Sequence, residues 1–357
     1  MVERTQMDRV EEEIRRLTDF LVSRQEPDGR WTFCFESGPM TDSYMILLYR
    51  LFGKETEAIQ RLSERLLFLG GDDGVWKLYE DEKGGNLSAT IESIVGLVYA
   101  GAIQPEDPVV RRAREYVLSQ GGIHQAGSLT KVMLSLIGLY DWVNHTEVPV
   151  EFLLLPWWFP VNFFDFVGFT RVHVAPILLA SDRKFSVHLP GSHVDFTDWL
   201  GTKLSSSLYS QIERFREEVE VGISQMPFGR GLLKTQALKR GERFLLNRIE
   251  PDGTLYSYFS STFLMVFGLM ALGYPKHHPV FRRAMEGLER FLIPVEKGWH
   301  LQETTSTVWD TSLITFALQE AGLPPEHPAI RRGVDYLLRR QHTRFGDWAL
   351  RNPDVWP

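Results

Sequence analysis

The sequence predicts an all-α fold of stacked helix pairs, on three observations: an internal repeat, helical apolar periodicity within it, and a Gly-centred turn that recurs beside it. The repeat aligns PVVRRAREYVLSQ (108–120), PVFRRAMEGLERFL (279–292) and PAIRRGVDYLLRRQ (328–341). In each, a Pro suited to the first helical turn precedes an amphipathic pattern, as with Ile330, Val334, Leu337 and Leu338, while Arg331 and Arg332 face outward. Upstream of each lies a second helix: TIESIVGLVYAGAI (90–103), STFLMVFGLMALGY (261–274) and DTSLITFALQEAGL (310–323). These are apolar almost all round, which fits burial on two sides, and each ends near a Gly able to take the left-handed cap.

The turn signature reads FLVSRQEPDGRW (20–31), FLLNRIEPDGTL (244–255) and YLLRRQHTRFGDW (336–348), with echoes at LGGDDGVW (69–76) and VEKGWH (295–300). Gly permits positive φ, Gln can hydrogen-bond the backbone at a helix end, and Trp can cover the junction with the next unit. Trp31 and Trp76 lie 45 residues apart, and Trp299 and Trp348 lie 49 apart. Helix pairs of this period stack into a closed α/α toroid or an open solenoid, and both share the local signature.

At 357 residues with 43% hydrophobic content, the chain is long enough for more than one globular domain. A formal charge of −7, with paired arginines scattered along the chain, gives no basic block for nucleic acid. The single cysteine, Cys34, cannot form an internal disulfide, and the opening MVERTQMDRVEEEIRR is too charged for a signal peptide, so a cytosolic origin is expected. His277, His278 and His327 stand in turns before Pro, and no HxxxH or Cys-rich pattern suggests a metal.

The turn signatures, the ATIES segment (89–93), STVWDT (306–311) and GDWALRNP (346–353) together resemble the squalene-hopene cyclases. WTFCFESGPMTDSYMILL (31–48) and RIEPDGTLYSY (248–258) are similar to the branch that cyclises C35 terpenes. The resemblance covers the whole chain. It implies two α/α barrels, the first inserted after the opening helix of the second. On that pattern residues 1–35 are the first helix of a catalytic-type barrel, 36–304 the inserted barrel, and 305–357 the next helices of the catalytic-type barrel. Helices 310–323 and 328–340 should then pack with residues 8–25.

Family members continue from this point into a Gly-rich strand and the acidic motif DxDD, whose clustered carboxylates hold one acid poised to protonate an isolated alkene. The 357 residues contain only Asp72-Asp73, in a turn signature, and Asp195 with Asp198 at the wrong spacing. No catalytic acid is therefore expected here, and a chain acting alone is expected to be inactive. No DDxxD-type metal site is present either.

What the resemblance assigns to this chain is cavity wall, where aromatic faces stabilise passing carbocations by roughly 0.5 to 2 kcal/mol each. Trp309 matches an aromatic lining residue, and Phe169 stands where hopene cyclases usually carry Trp. Tyr258 and Phe259 fall in the segment that shapes the far end of the cavity, where hopene cyclases have a Gln-Pro pair. The plain alternative for each is an ordinary core aromatic. Glu92, a carboxylate inside an apolar helix, must be paired, and the family places a water-holding polar network nearby. Asp310, just before an inner helix, reads as an N-cap.

The stretch VPVEFLLLPWWFPVNFFDFVGF (148–169) is too interrupted to be a transmembrane helix of ~20 apolar residues. It fits either burial or an apolar plateau dipping into one leaflet. The resemblance implies a cytoplasmic, peripheral (monotopic) protein on the inner face of the membrane. It also implies a polyprenoid substrate, squalene or a C35 terpene, a C-terminal cyclase half as partner, and no cofactor. Other readings stay open. A non-catalytic toroid serving as scaffold or polyprenoid binder fits the missing acid motif. A glycosidase or lyase on an α/α barrel would need two facing carboxylates, and the sequence shows no such pair; a prenyltransferase β-subunit, which needs Asp, Cys and His ligands for zinc, is set aside because the only cysteine lies at the wrong end of the chain.

Overall fold

A computed structural model describes residues 6–346 apart from 55–56, 72, 146–147, 192–193, 203–206, 342 and 344. Asp72, Trp348 and the GDWALRNP motif beyond Gly346 thus lie outside the described residues. Among the described residues are thirteen α-helices and one two-stranded antiparallel ribbon, so the fold is all-α. In order these are α1 (Gln6–Ser23), α2 (Met40–Leu51), α3 (Glu57–Leu69), α4 (Leu87–Ala100), α5 (Pro108–Ser119), α6 (Ser128–Leu136) and α7 (Gly168–Asp182). There follow α8 (Ser207–Ser224), α9 (Arg230–Leu246), α10 (Phe259–Ala271), α11 (Pro279–Glu289), β1 (Leu292–Pro294), β2 (Trp299–Leu301), α12 (Thr307–Glu320) and α13 (Pro328–Arg339). The chain divides into two compact units, Glu36–Thr304 and the flanking pair Met1–Phe35 with Thr305–Pro357.

In the Glu36–Thr304 unit the inner helices are buried on nearly every face: Thr41–Tyr49 of α2, Ala89–Tyr99 of α4 and Phe259–Leu269 of α10. The outer helices are amphipathic. In α5, Val110, Ala113 and Val117 face the core while Arg111 and Arg112 face water, because positions three to four apart share one side of a helix. The two outer helices of the aligned repeat in this unit open as their Pro predicts, at Pro108 and Pro279.

Whether this unit closes is decided by its two ends. α10 packs on α7 and also on α2, and the rings of Tyr44 and Phe263 lie 4.7 Å apart. Lys54 pairs with Glu289 at 3.0 Å, and the turn at Gly298 lies so close to α3 that a Cβ there would sit 2.0 Å from the Arg61 carbonyl oxygen. In an open solenoid each repeat meets only its neighbours. Here the last repeat meets the first, which makes a toroid.

The Gly-centred turns share one geometry. The backbone N–H of Trp31, Trp76 and Leu255 donates to the hydroxyl of Thr311, Thr90 and Thr262 at 3.0, 3.0 and 2.8 Å. The indoles of Trp31 and Trp76 each donate at 2.7 Å to the carbonyl ten residues earlier, on Leu21 and Leu66. Gly29, Gly74 and Gly253 hold φ of 95°, 71° and 97° and press on a neighbouring outer helix. Gln25 donates to the carbonyls of Gly29 and Ala329, at 2.9 and 2.8 Å, as a helix-end glutamine should.

In the flanking unit, Trp31, Leu318, Ala329 and Ile330 form a core against which Leu21 and Val22 pack. One expectation needs correcting. α12 starts at Thr307 with Ser306 at the N-cap, so Asp310 lies inside the first turn. Its carboxylate accepts from the Ser306 hydroxyl at 2.7 Å and from the Phe33 N–H at 3.2 Å, so it anchors the incoming segment instead of capping the helix. A negative charge in the first turn still suits the helix dipole.

The interrupted stretch 148–169 is partly core and partly surface. Phe152, Leu153, Leu155 and Phe163 are buried, whereas Trp157 and Trp158 are 72% and 67% exposed. No helix among the described residues is long and apolar enough to cross a membrane.

Candidate functional site

Two acids of raised pKa in the Glu36–Thr304 unit, Glu92 buried and Glu303 half-buried, are held by neighbouring inner helices. Glu92 projects from α4, where its Oε1 accepts from the Tyr44 hydroxyl of α2 at 3.1 Å and the Thr130 hydroxyl of α6 at 2.7 Å. Burial pushes its carboxyl up to about 7, and the two donors offset only part of that rise. The Tyr44 hydroxyl is raised as well, by burial and then by Glu92.

The second acid, Glu303, follows β2. Ser260, buried on α10, bonds one of its oxygens through Oγ, and the Ser260 N–H approaches the carboxylate at 3.3 Å. Burial pushes Glu303 up to about 7. Its own N–H donates to Ser37 Oγ at 3.2 Å, which fixes the loop. On the other side of Ser260, His173 of α7 approaches Oγ through Nε2 at 2.6 Å and bonds the Phe169 carbonyl through Nδ1 at 2.7 Å. Burial lowers the His173 pKa.

Aromatic rings form the rim of this acid. Phe169 lies 4.3 Å from the His173 ring and 5.0 Å, edge to face, from Tyr258, which stacks with Tyr256 at 6.3 Å. Tyr256 and Ser257 both have positive φ, 59° and 58°, a conformation that costs a non-glycine residue of order 1 kcal/mol or more. Thr304 Oγ1 donates to the Ser257 carbonyl at 2.7 Å and helps hold the strained pair, which aims Tyr258 at Phe169.

Of the residues singled out from sequence, Phe169 and Tyr258 are thus brought together, with Phe169 48% exposed. Phe259 is fully buried and begins an aromatic ladder along α10, 6.2 Å from Phe263, itself 4.9 Å from Phe267. Glu92 lies in its own network with Tyr44 and Thr130. Trp309 belongs to the flanking unit, on the first turn of α12, and is 70% exposed there. Ser260, His173 and Glu303 were not singled out. A signal existed for His173, one helical turn after Phe169, but Glu303 sits in a polar loop segment, QETTST, where nothing local announces burial.

The squalene-hopene cyclase N-terminal domain pattern matches residues 14–297, and the C-terminal domain pattern matches residues 305–357. The chain belongs to the squalene-hopene cyclase family. Sporulenol synthase from Bacillus subtilis is 32% identical to this family member over 98% of the chain and 57% of the relative's length. Dammaradiene synthase from Dryopteris crassirhizoma is 31% identical over 94% of the chain and 50% of its own length. Squalene–hopene cyclase from Alicyclobacillus acidocaldarius is 30% identical over 96% of the chain and 54% of its own length. The chain therefore spans about half the length of these cyclase relatives.

Proposed function

We propose that this chain is the N-terminal part of a class II triterpene or sesquarterpene cyclase, which protonates a linear or partly cyclic polyprenoid and guides the resulting carbocation cascade. Glu36–Thr304 would be the inserted barrel, and the flanking unit the first helices of the catalytic-type barrel. Within that enzyme these residues supply cavity wall: Phe169 and Tyr258 offer aromatic faces from the Glu36–Thr304 unit, Trp309 offers one from the flanking unit, Phe259 opens the aromatic ladder of α10, and Glu92 anchors a polar network. The observation that carries this reading is the aromatic rim of Phe169, Tyr256 and Tyr258 beside a half-buried acid of raised pKa. An apolar, cation-stabilising surface beside a carboxyl is what carbocation chemistry requires.

The 357 residues carry no DxDD, so the initiating acid comes from a C-terminal half. Incubated with squalene or a C35 polyprenoid, the chain alone should yield no cyclic product, and adding a separately expressed half that bears DxDD should restore turnover. Product from the isolated chain would mean the acid lies elsewhere. Binding of polyprenoid without turnover, even with the C-terminal half present, would favour a non-catalytic polyprenoid binder.

The same enzyme would draw its water-insoluble substrate from a membrane as a peripheral, monotopic protein. Trp158 and Phe228 stand exposed at a pocket of about 380 Å³ also lined by Leu154, Phe159 and Met226, and the preceding Trp157 is exposed as well, an apolar surface suited to the interfacial region of one leaflet. Replacing Trp157 and Trp158 by Ser should weaken sedimentation with phospholipid vesicles; unchanged sedimentation would place membrane contact elsewhere.

A further inference from the structure

The chain of Glu303, Ser260 and His173 has one consistent set of donors in each charge state. A carbonyl cannot donate, so the bond to Phe169 keeps a proton on His173 Nδ1. In the neutral ring Nε2 is then an acceptor and takes the single proton of Ser260 Oγ. The Glu303 oxygen bonded to Ser260 must in turn donate, which makes the carboxyl protonated. With a charged ring the bond to Phe169 stays as it is and the other two reverse: Nε2–H donates to Ser260, and Ser260 donates to a carboxylate. The three residues therefore share one mobile proton. When that proton is gone, Ser260 has two acceptors and can serve only one.

We propose that this trio is the proton acceptor that ends the reaction: Glu303 takes the proton that a cyclised cation loses in becoming an alkene, and Ser260 and His173 pass it on to solvent. This rests on the cyclase reading above. One C–H bond beside the cationic carbon breaks, its electron pair becomes the π bond, and a lone pair of the ionised carboxylate binds the proton. The charges on carbon and carboxylate vanish together, and the product state is the fully satisfied chain. Reset follows when Ser260 passes its proton to Nε2 while taking one from Glu303, after which the partly buried imidazolium loses a proton to water.

Three features of the setting agree with an acceptor. The Phe169 and Tyr258 faces stand beside the trio, where they would hold a cation before it collapses. The titratable groups that face Glu303 are the phenols of Tyr44 and Tyr258 and, through Ser260, His173. A carboxyl raised to about 7 is too weak an acid to protonate an alkene, yet ample as a base toward a carbocation.

Two experiments separate this inference from the reading beneath it. In the chain itself, NMR of 13C-labelled Glu and 15N-labelled His should show Glu303 titrating near neutrality in step with the His173 ring, and Ser260→Ala should uncouple the two. A Glu303 that titrates like an ordinary carboxylate, or a His173 response indifferent to Ser260→Ala, overturns the relay. In enzyme reconstituted with a C-terminal cyclase half, Glu303→Gln should cut alkene-terminated product about 100-fold and leave water-captured alcohols or incomplete rings, while Glu303→Asp keeps most of the alkene. The wild-type alkene yield should fall as pH drops through about 7. Identical products and pH profiles for Glu303→Gln and wild type overturn the acceptor role. A wild-type enzyme that forms no cyclic product overturns the cyclase reading, and the acceptor role with it, even where the coupled titration is observed.

Discussion

The ring of Phe263 on α10 lies 4.7 Å from the ring of Tyr44 on α2, and this contact joins the last inner helix of the toroid to the first. Phe263 is fully buried, and it also touches Phe259 and Phe267. Truncation to Ala would leave a cavity at the closure, at a cost of about 3 to 5 kcal/mol. Denaturant unfolding of Phe263→Ala should show that loss, and Phe263→Leu a smaller one. A loss below about 1 kcal/mol would mean that the ring closes without this contact.

The two raised carboxyls tie stability to pH. Glu92 and Glu303 go from the ordinary value of 4.5 to about 7 on folding, so the native state binds more protons between those limits. Their contribution is fully present below about 4.5 and lost as pH rises through about 7, on the order of 3 kcal/mol each. His145 acts oppositely. Burial depresses it from 6.5 to about 4, so it favours folding increasingly as pH rises over that window. The clean measurement is therefore a difference: Glu92→Gln should gain stability relative to wild type between pH 5 and pH 8, by thermal or denaturant melts. A pH-independent difference would show that Glu92 is not raised.

Gly253 and Gly273 have nearly the same φ, 97° and 95°, in different surroundings. A Cβ on Gly253 would lie 2.3 Å from the Arg283 carbonyl oxygen, whereas none of the surrounding atoms comes within 4 Å of one on Gly273. Gly273→Ala should cost only the left-handed strain of about 1 to 2 kcal/mol. Gly253→Ala adds a backbone clash and should cost clearly more, with loss of the turn's packing on α11. Equal melting shifts for the two variants would show that the turn yields freely.

In reconstituted enzyme, Trp309→Ala should abolish or divert cyclisation more than Trp309→Phe, because Phe keeps a π face worth roughly 0.5 to 2 kcal/mol to a passing cation. The isolated chain offers a control, since Trp309 is 70% exposed there and neither change should move its melting temperature much. Equal product profiles from the two variants would assign Trp309 to packing alone.

Local chemistry made much of this protein legible in its sequence. The outer helices open at Pro108, Pro279 and Pro328 because a proline's fixed φ and missing N–H suit the first helical turn. The Gly-centred turns follow from φ values that only glycine adopts cheaply, and Glu92 stood out because a charge inside an apolar helix requires partners. α12 starts one turn earlier than the sequence predicts. Asp310 has a cap's chemistry, but Ser306 takes the cap position and the carboxylate holds Phe33 instead, a partner 277 residues away in sequence.

The sequence by itself determined the all-α class, the helix-pair repeat, its turns and the family. Tertiary structure alone decided that the Glu36–Thr304 unit closes, because closure depends on pairs such as Tyr44 with Phe263, Lys54 with Glu289, and Gly298 with Arg61. It also decided that Glu303, a loop carboxylate of unremarkable local context, is drawn against Ser260, whose hydroxyl also meets His173, and is partly desolvated there. Periodicity and turn propensity act over a few residues, whereas burial of an ionisable group is set by everything the fold brings around it.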